Sequence, residues 1–188
     1  MFDKELFTKE ERKALVEQFP YLLPIKLTTG EVPADYDFDY IRGEWEIPAG
    51  WMQLFLQACE DILEPLKAAN ALDIFRFSQI KEKYGQLRMY TFDAPKEVQL
   101  ILDKYEFLSE QVCCTCGKPA VAITRGWICP YCQEHLEKEL KAEYITECDP
   151  INVTTGFYRT TWHGDDKVKT YIDCSDEWTR YLERVNEA

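Results

Sequence analysis

The chain has 188 residues, of which 46% are hydrophobic and 14% aromatic, and its formal net charge is −12. This composition favours one folded domain over residues 1–188 and excludes a largely disordered chain. The excess of acidic residues argues against a protein whose main function is to bind nucleic-acid phosphates. Because no apolar run is long enough to cross a bilayer and the N-terminus lacks a signal-peptide pattern, we expect a cytoplasmic protein without a membrane partner.

The predicted elements, taken in chain order, indicate an α+β fold in which antiparallel hairpins pack with several helices. Helices are predicted over residues 8–18, 50–69 and 93–112, around Leu136, Leu140 and Tyr144, and from Ser175 onward. Two β-rich runs, residues 74–92 around Lys83-Tyr84-Gly85 and residues 156–173, predict hairpins. Pro65 either kinks the second helix or ends it near Leu63.

Residues 31–50 form the most acidic and least regular stretch. Carboxylates alternate with aromatic rings here, which would separate them onto two sides of an extended chain. Three roles for the carboxylates are open: a solvated edge above buried rings, a site for a divalent cation, or a surface that docks on a partner. The candidate docking residues are Asp35, Asp37, Asp39, Glu44 and Glu46.

The first predicted hairpin has the opposite charge, with four basic residues against Glu82. These basic residues are candidates for partner binding: Arg76, Lys81, Lys83 and Arg88. Such a patch either pairs internally with acidic groups or forms an anion-binding or docking face. Trp127, Tyr131 and Tyr84 are aromatic, and their rings could stack on nucleic-acid bases.

The cysteines carry the most specific chemical signal. Cys113 and Cys116 form one Cys-x-x-Cys pair, and Cys129 and Cys132 form a second pair after twelve intervening residues. This pattern predicts a four-cysteine zinc ribbon over residues 113–132, embedded in the larger domain. Because four thiolates fill the coordination sphere of zinc, we expect a structural zinc ion and no catalytic residue at this site.

Three alternatives to that ligand set are open. His135, three residues after Cys132, is a possible substitute ligand. The segment Cys129-Pro-Tyr-Cys132 also matches a redox dithiol, although a redox site of that type stands without a second pair. A disulfide framework would require an oxidising compartment, for which there is no export signal. The sequence assigns no role to the remaining candidates, Cys114, Cys148, Cys174 and His163.

Four segments are distinctive in combination: Phe19–Pro24, Thr29–Gly30 with Asp35–Tyr40, Gln79–Arg88, and Cys116–Ala120 leading to Gly126–Cys132. Together they resemble a family of uncharacterised zinc-ribbon proteins of bacterial prophages and phages. The resemblance covers roughly residues 19–135. It implies a zinc ribbon and a phage setting, and it implies no particular mechanism.

The first functional hypothesis is therefore an acidic, zinc-stabilised accessory protein of phage type that docks on a host protein or nucleoprotein complex, such as a defence system, with inhibition as one outcome. The alternative is a nucleic-acid-binding zinc-ribbon protein that uses the basic hairpin, residues 76–88. An enzyme is the weaker hypothesis, because His135 and His163 have no neighbour at catalytic spacing. A structural or self-associating role is also open, and the sequence fixes neither the partner nor the oligomeric state.

Overall fold

A computed structural model describes residues 9–23, 25, 26, 28–32, 47–163 and 165–187. This part of the chain contains five α-helices and seven strands in antiparallel sheets, which confirms the predicted α+β class. The helices are α1 (Lys9–Gln18), α2 (Met52–Ala68), α3 (Lys96–Ser109), α4 (Gln133–Lys141) and α5 (Ser175–Glu187). Among the described residues, no helix is both long and apolar enough to cross a membrane.

The strands form three separate sheets, and each pairing is antiparallel. The strands are β1 (Phe77–Lys83), β2 (Gln86–Thr91), β3 (Ala122–Thr124), β4 (Pro130–Tyr131), β5 (Cys148–Pro150), β6 (Gly156–His163) and β7 (Asp166–Asp173). Strands β1 and β2 form one hairpin, β6 and β7 form another, and β3 lies between β4 and β5 in the third sheet. Strand β5 was not predicted, because a three-residue strand is too short to show a periodic pattern.

Helix α2 is the central element of the core. Its apolar residues recur at helical spacing, so Leu54, Ile62 and Leu66 lie fully buried on one face. The helix continues through Pro65 to Ala68, so it does not end near Leu63. Just before it, the Trp51 indole N–H donates a hydrogen bond of 2.9 Å to the Val112 carbonyl oxygen. The start of α2 is thereby tied to the segment that follows α3.

The β1–β2 hairpin contributes one wall of the core. Its inner face buries Ile80, Leu87 and Met89. The connection is a two-residue turn in which Tyr84 and Gly85 have φ values of 55° and 78°. Two consecutive positive φ angles are what the favoured hairpin turn requires, and glycine adopts them without steric cost. The turn is therefore the one predicted from Lys83-Tyr84-Gly85.

Side chains of α3 accept hydrogen bonds from backbone N–H groups on the outer edge of strand β2. The backbone N–H of Leu87 donates to Ser109 Oγ, and the backbone N–H of Met89 donates to a Glu106 carboxylate oxygen, each over 2.8 Å. These two N–H groups are two residues apart on one strand edge, and their acceptors are three apart on one helix face. An edge that could pair with another chain is thus covered within the fold.

Within the part of the chain that the structure describes, the contacts of the β6–β7 hairpin with the core lie near its base. The ring of Phe157 lies 4.9 Å from the ring of Phe107 on α3, measured between centroids. Arg159 forms an ion pair of 3.1 Å with Asp103, also on α3. Residues 166–171 of β7 are all exposed. Most of this hairpin therefore faces solvent.

Helix α4 differs from its predicted pattern. Leu136 is buried, but Leu140 and Tyr144 are exposed, and the helix already ends at Lys141. The predicted apolar stripe was therefore wrong for its last two residues. Leu136, in the first turn after Cys132, is the one residue of α4 that is buried.

Candidate functional site

Three cysteines and one histidine converge at one point of the structure. Cys113 and Cys116 lie on the loop after α3, Cys132 immediately precedes α4, and His135 lies in the first turn of α4. One ligand atom from each of these residues lies within 4.8 Å of the others. This Cys3His cluster is close enough to hold a metal ion.

The distances within the cluster are compatible with a metal ion and exclude a disulfide. Cys116 Sγ and Cys132 Sγ are 3.7 Å apart, far beyond the roughly 2.05 Å of a disulfide bond. His135 Nδ1 lies 3.3 Å from Cys132 Sγ and 3.6 Å from Cys113 Sγ. A tetrahedron with metal–sulfur bonds of about 2.3 Å has sulfur–sulfur edges of about 3.8 Å. The observed separations are close to those edges.

The start of α4 explains why Cys132 and His135 point to the same place. Residues three apart on a helix share one face, so a helix that begins directly after Cys132 brings both side chains together. The backbone N–H of Leu136 donates to the Cys132 carbonyl oxygen over 2.9 Å, which closes the first helical turn. The partial positive charge of a helix N-terminus also favours a thiolate at this position.

The other two ligands lie on a tight loop. The backbone N–H of Gly117 donates to the Cys113 carbonyl oxygen over 3.0 Å, and the N–H of Cys113 donates to the Lys118 carbonyl oxygen over 2.8 Å. Gly117 has a φ of 80°, a value that side chains with a Cβ rarely adopt. The loop therefore has the local shape that the Cys-x-x-Cys-Gly sequence predicts.

Residues from distant parts of the chain hold this loop from outside. The backbone N–H of Gly50 donates to the Cys114 carbonyl oxygen over 3.0 Å, and a Cβ at Gly50 would lie only 2.1 Å from the Cys113 carbonyl oxygen. On another side, the Tyr181 hydroxyl of α5 donates to the Gly117 carbonyl oxygen over 2.5 Å. The metal cluster is thus an integral part of the domain.

One side of the cluster is open to solvent. Cys116 is exposed and lines a groove of about 830 Å³, to which Leu182 and Arg184 of α5 also contribute. Without an ion, partial burial and the neighbouring Cys113 raise the pKa of the Cys116 thiol to about 12. A metal ion must displace this proton, so metal binding at this cluster releases protons.

Cys129, the remaining predicted ligand, lies outside the cluster. Its backbone N–H donates to Thr124 Oγ1 over 2.9 Å, which fixes it within the β3–β4 connection. Its sulfur accepts a hydrogen bond from Cys114, and this contact is the main cause that lowers the pKa of Cys129 and raises the pKa of Cys114. The predicted ligands were Cys113, Cys116, Cys129 and Cys132, whereas the structure groups Cys113, Cys116 and Cys132 with His135.

The remaining cysteines do not join the cluster. Cys59 on α2 and Cys174 before α5 are buried, and Cys148 begins β5. Burial is the main cause that raises the pKa of both buried thiols. All eight cysteines lie in the described part of the chain, and none forms a disulfide.

The structure divides the four predicted basic residues into two groups. Arg88 forms an ion pair of 3.2 Å with Glu106, and Arg76 is half-buried, with burial lowering the pKa of its guanidinium. Lys81 and Lys83 occupy the opposite face of the hairpin from the buried residues. Within the described residues, neither of these two lysines forms an ion pair. Internal pairing therefore accounts for Arg88, whereas Lys83 is exposed and the half-buried Lys81 has its Nζ 5.8 Å from the centre of the Tyr90 ring.

A cleft of about 340 Å³ separates the tip of the β1–β2 hairpin from the loop between β3 and β4. Its lining includes Lys81, Lys83, Tyr84 and Trp127, and the opening that they surround is called the aromatic-lysine cleft below. Glu82 also lines it, and its carboxylate accepts a hydrogen bond of 2.8 Å from the Gly85 backbone N–H. Trp127 is 77% exposed and Tyr84 is 71% exposed. Lys83 Nζ lies 5.7 Å from the centre of the Tyr84 ring. Two exposed rings and two lysines therefore surround one opening.

Residues 126–128, in the connection between β3 and β4, form one wall of this cleft. Gly85 at the hairpin tip packs closely on that segment, because a Cβ at Gly85 would lie 2.9 Å from Ile128 Cγ2 and 3.3 Å from Ile123 Cδ1. Ile128 directly follows Trp127. Tyr131, the third predicted stacking residue, is half-buried against the core and does not line the cleft.

The predicted acidic docking surface is not part of what the structure describes. Asp35, Asp37, Asp39, Glu44 and Glu46 all lie outside the described residues, as does the side chain of His163. Both the cation-site hypothesis and the docking hypothesis for the acidic stretch therefore stay predictions.

The chain was compared with protein-family models, with curated proteins and with solved structures, and none of these comparisons finds a match. The resemblance to zinc-ribbon proteins of phages stays a prediction that depends on the sequence segments given above. Function must therefore be inferred from the metal cluster and the surfaces of this chain.

Proposed function

We propose that this chain is a metal-stabilised protein that binds a short stretch of single-stranded nucleic acid in the aromatic-lysine cleft. The supporting observation is that two exposed rings and two lysines, from separate parts of the chain, meet around one opening. Aromatic rings stack on bases, and lysines attract the phosphates between them. The cleft offers both kinds of contact.

Zinc is the metal we propose for the Cys3His cluster. Three thiolates and an imidazole are a common donor set for zinc and a poor one for magnesium or calcium, which prefer oxygen. With four protein ligands, no coordination position is left for water or substrate, so the proposed role is structural. The ion would join the loop after α3 to the start of α4. Because Cys132 and Trp127 belong to the same short segment, it would also stabilise one wall of the cleft.

The net charge of −12 limits the strength of the proposed binding. Charges more than about 10 Å away are largely screened at 0.1 M salt, so Lys81 and Lys83 act mainly over the cleft itself. Two phosphate contacts to a single strand predict a slope of about −1.4 for log affinity against log salt concentration. We therefore expect weak binding that is strongest at low salt.

A second candidate is the acidic docking protein, and the net charge favours it. A chain with a formal charge of −12 and a pI near 4.7 is attracted to basic surfaces of other proteins. The partner would be a host protein or nucleoprotein complex, such as a defence system, and occupation of its basic surface would inhibit it. The candidate contacts are Asp35, Asp37, Asp39, Glu44 and Glu46.

Fluorescence anisotropy with a labelled oligothymidylate of about 12 nucleotides tests the first candidate. The double variant Lys81→Glu/Lys83→Glu should bind at least about tenfold more weakly than the unaltered protein at low salt. Its matched control is Lys13→Glu/Lys141→Glu, which changes two exposed lysines elsewhere and alters the net charge equally. Equal losses in both double variants would show that overall charge, and not the cleft, determines binding.

A second pair of variants tests the stacking contact. Trp127→Ala should weaken binding at least about fivefold, since stacking on one base contributes about 1–3 kcal/mol. Tyr144→Ala is the control, because Tyr144 is equally exposed, at 78%, and lies outside the cleft. If the unaltered protein binds no oligonucleotide at low salt, the nucleic-acid proposal is wrong.

The docking candidate has a separate test. A variant with the five acidic candidates changed to Asn or Gln should lose a host protein that the unaltered chain captures at low salt. The cleft variant Lys81→Glu/Lys83→Glu should still capture it. Retention by the acidic variant would contradict the docking candidate.

A further inference from the structure

The β6–β7 hairpin presents rings and lysines together on one face. Its register pairs Tyr158 with Tyr171, Thr160 with Lys169, and Trp162 with Lys167. Alternate residues of a strand point to the same side, so these three pairs share one face. The opposite face carries Phe157, which contacts α3. The six paired residues are called the hairpin face below.

The large rings of the hairpin face are exposed and yet held in place. Tyr158, Trp162 and Tyr171 are 68%, 65% and 51% exposed. The rings of Tyr158 and Tyr171 meet edge to face with centroids 5.2 Å apart, and Lys167 Nζ lies 5.8 Å from the centre of the Trp162 ring. A Cβ at Gly156 would lie 2.3 Å from the Tyr171 hydroxyl, so the absence of a side chain there leaves room for that ring.

The order of residues along the hairpin face alternates rings with positive charge. Tyr158 and Trp162 are four residues apart on β6, a distance of about 13 Å at roughly 3.3 Å per residue. Lys169 lies between them in register. The carboxylate in register on this face is Asp173 at the base, which accepts hydrogen bonds from Ser175. Within the described residues, neither lysine of this face forms an ion pair.

We infer that the hairpin face is a second contact site for single-stranded nucleic acid, in which the rings stack on bases and Lys167 and Lys169 contact phosphates. Stacking tolerates any base sequence, so the site would not select a particular sequence. A second copy of this chain is a poorer occupant, because two such faces in contact would place lysines against lysines. The inference depends on residues of β6 and β7 alone and adds a site to the proposed function.

A strand long enough to reach both sites would bind with higher affinity than a short one, because the second contact is intramolecular. The number of lysines involved predicts the salt dependence. With Lys81, Lys83, Lys167 and Lys169 all in contact, the slope of log affinity against log salt should be about −2.8, compared with about −1.4 for one site. The salt slope therefore counts the sites in use.

Anisotropy titrations over a range of salt concentrations test this inference with long and short oligothymidylates. Lys167→Glu/Lys169→Glu should reduce the slope for a long strand to about −1.4 and weaken binding at low salt at least about tenfold. Lys13→Glu/Lys141→Glu is the charge control. Trp162→Ala should weaken binding at least about fivefold, whereas Val168→Ala, an exposed position on the opposite face, should not.

The variants separate this inference from the proposed function. Loss of binding in the hairpin-face variant alone would support the inference and refute the cleft. Loss in the cleft variant alone would refute the inference and leave the cleft in place. An unchanged salt slope in Lys167→Glu/Lys169→Glu, or capture of a protein and no oligonucleotide by this face, would overturn the inference. Unchanged NMR shifts of the β6 and β7 amides in each variant confirm that the hairpin stays folded.

Discussion

The two long hairpins share a topology but have opposite surroundings. In the β1–β2 hairpin, Ile80, Leu87 and Met89 are buried, and α3 covers the strand edge. In the β6–β7 hairpin, residues 166–171 of β7 are exposed, and among the described residues the contacts with the core lie near the base, at Phe157, Arg159 and Ile172. An isolated two-stranded hairpin is marginally stable in water. The first hairpin therefore shares the stability of the core, whereas the second presents side chains and contributes little to it.

Metal removal should produce the largest difference between the hairpins. His135→Ala or Cys132→Ser should lose the bound ion and destabilise the chain by several kcal/mol or more, since structural zinc contributes about 10 kcal/mol in small domains. Hydrogen exchange should accelerate strongly at the β1–β2 tip, where Gly85 packs on Ile128. The amides of β6–β7 should exchange fast in both forms.

Cys129→Ser is the matched control for the ligand assignment. Because Cys129 lies outside the cluster and accepts a hydrogen bond from Cys114, this variant should keep one equivalent of metal per chain. Metal analysis that finds the ion lost in Cys129→Ser and kept in His135→Ala would restore the four-cysteine ligand set.

Truncation of a core side chain should also affect the hairpins unequally. Leu87→Ala removes a fully buried side chain of β2 and should lower the free energy of unfolding by about 2–5 kcal/mol. Val168→Ala, at an exposed position of β7, should change it by less than about 0.5 kcal/mol. Urea unfolding measures both, and similar values would contradict the proposed division of roles.

Gly50→Ala tests whether the close packing of Gly50 on the loop of Cys113 and Cys116 matters for stability. The added Cβ would meet the Cys113 carbonyl oxygen at 2.1 Å, so we expect a loss of about 1–3 kcal/mol in the free energy of unfolding and weaker metal binding. Gly126→Ala is the control, because a Cβ there has no neighbour within 4 Å and costs only the strain of its positive φ. Unchanged metal affinity in Gly50→Ala would show that the loop does not need this close packing.

The smallest effect should come from Asp173 at the base of the β6–β7 hairpin. Hydrogen bonds from Ser175 hold the pKa of Asp173 below its ordinary value of about 3.9. The stability that this carboxylate contributes is present above that ordinary value and is lost as the pH falls through the lower pKa of the folded state. Asp173→Asn should therefore flatten the fall of the melting temperature below about pH 4. If the melting temperature of Asp173→Asn falls below pH 4 as steeply as that of the unaltered protein, this assignment is wrong.

Local patterns in the sequence were enough to predict most of the elements. The helical spacing of α2 and the Tyr84-Gly85 turn depend on neighbouring residues, so both are found where they were expected. The stripe on α4 failed because Leu140 and Tyr144 have no core to pack against after the first turn. Whether an apolar residue is buried depends on distant elements, which periodicity does not include.

Three of the four residues of the Cys3His cluster could be predicted from the local spacing of the cysteines. Spacing favoured Cys129 because it repeats the Cys-x-x-Cys pattern. The β3–β4 connection instead places Cys129 beside Cys114, and the start of α4 turns His135 toward Cys132. The signal for His135 was its position three residues after Cys132 at the beginning of a helix. The cleft could not be predicted, because Trp127 and Lys81 line one opening only after the β1–β2 hairpin packs against the β3–β4 connection.

The hydrogen bond from the Tyr181 hydroxyl to the Gly117 carbonyl oxygen bears on the order in which metal binding and folding occur. During synthesis, all four residues of the Cys3His cluster leave the ribosome before α5 exists, so a metal ion can bind before α5 packs on the loop. Contacts between residues far apart in sequence form late and slow folding. Helix α5 would then pack on the loop as the last step. Because Cys116 stays exposed in the folded protein, α5 would slow release of the ion by holding the loop in place, and truncation before Ser175 should give a chain that acquires metal but releases it quickly.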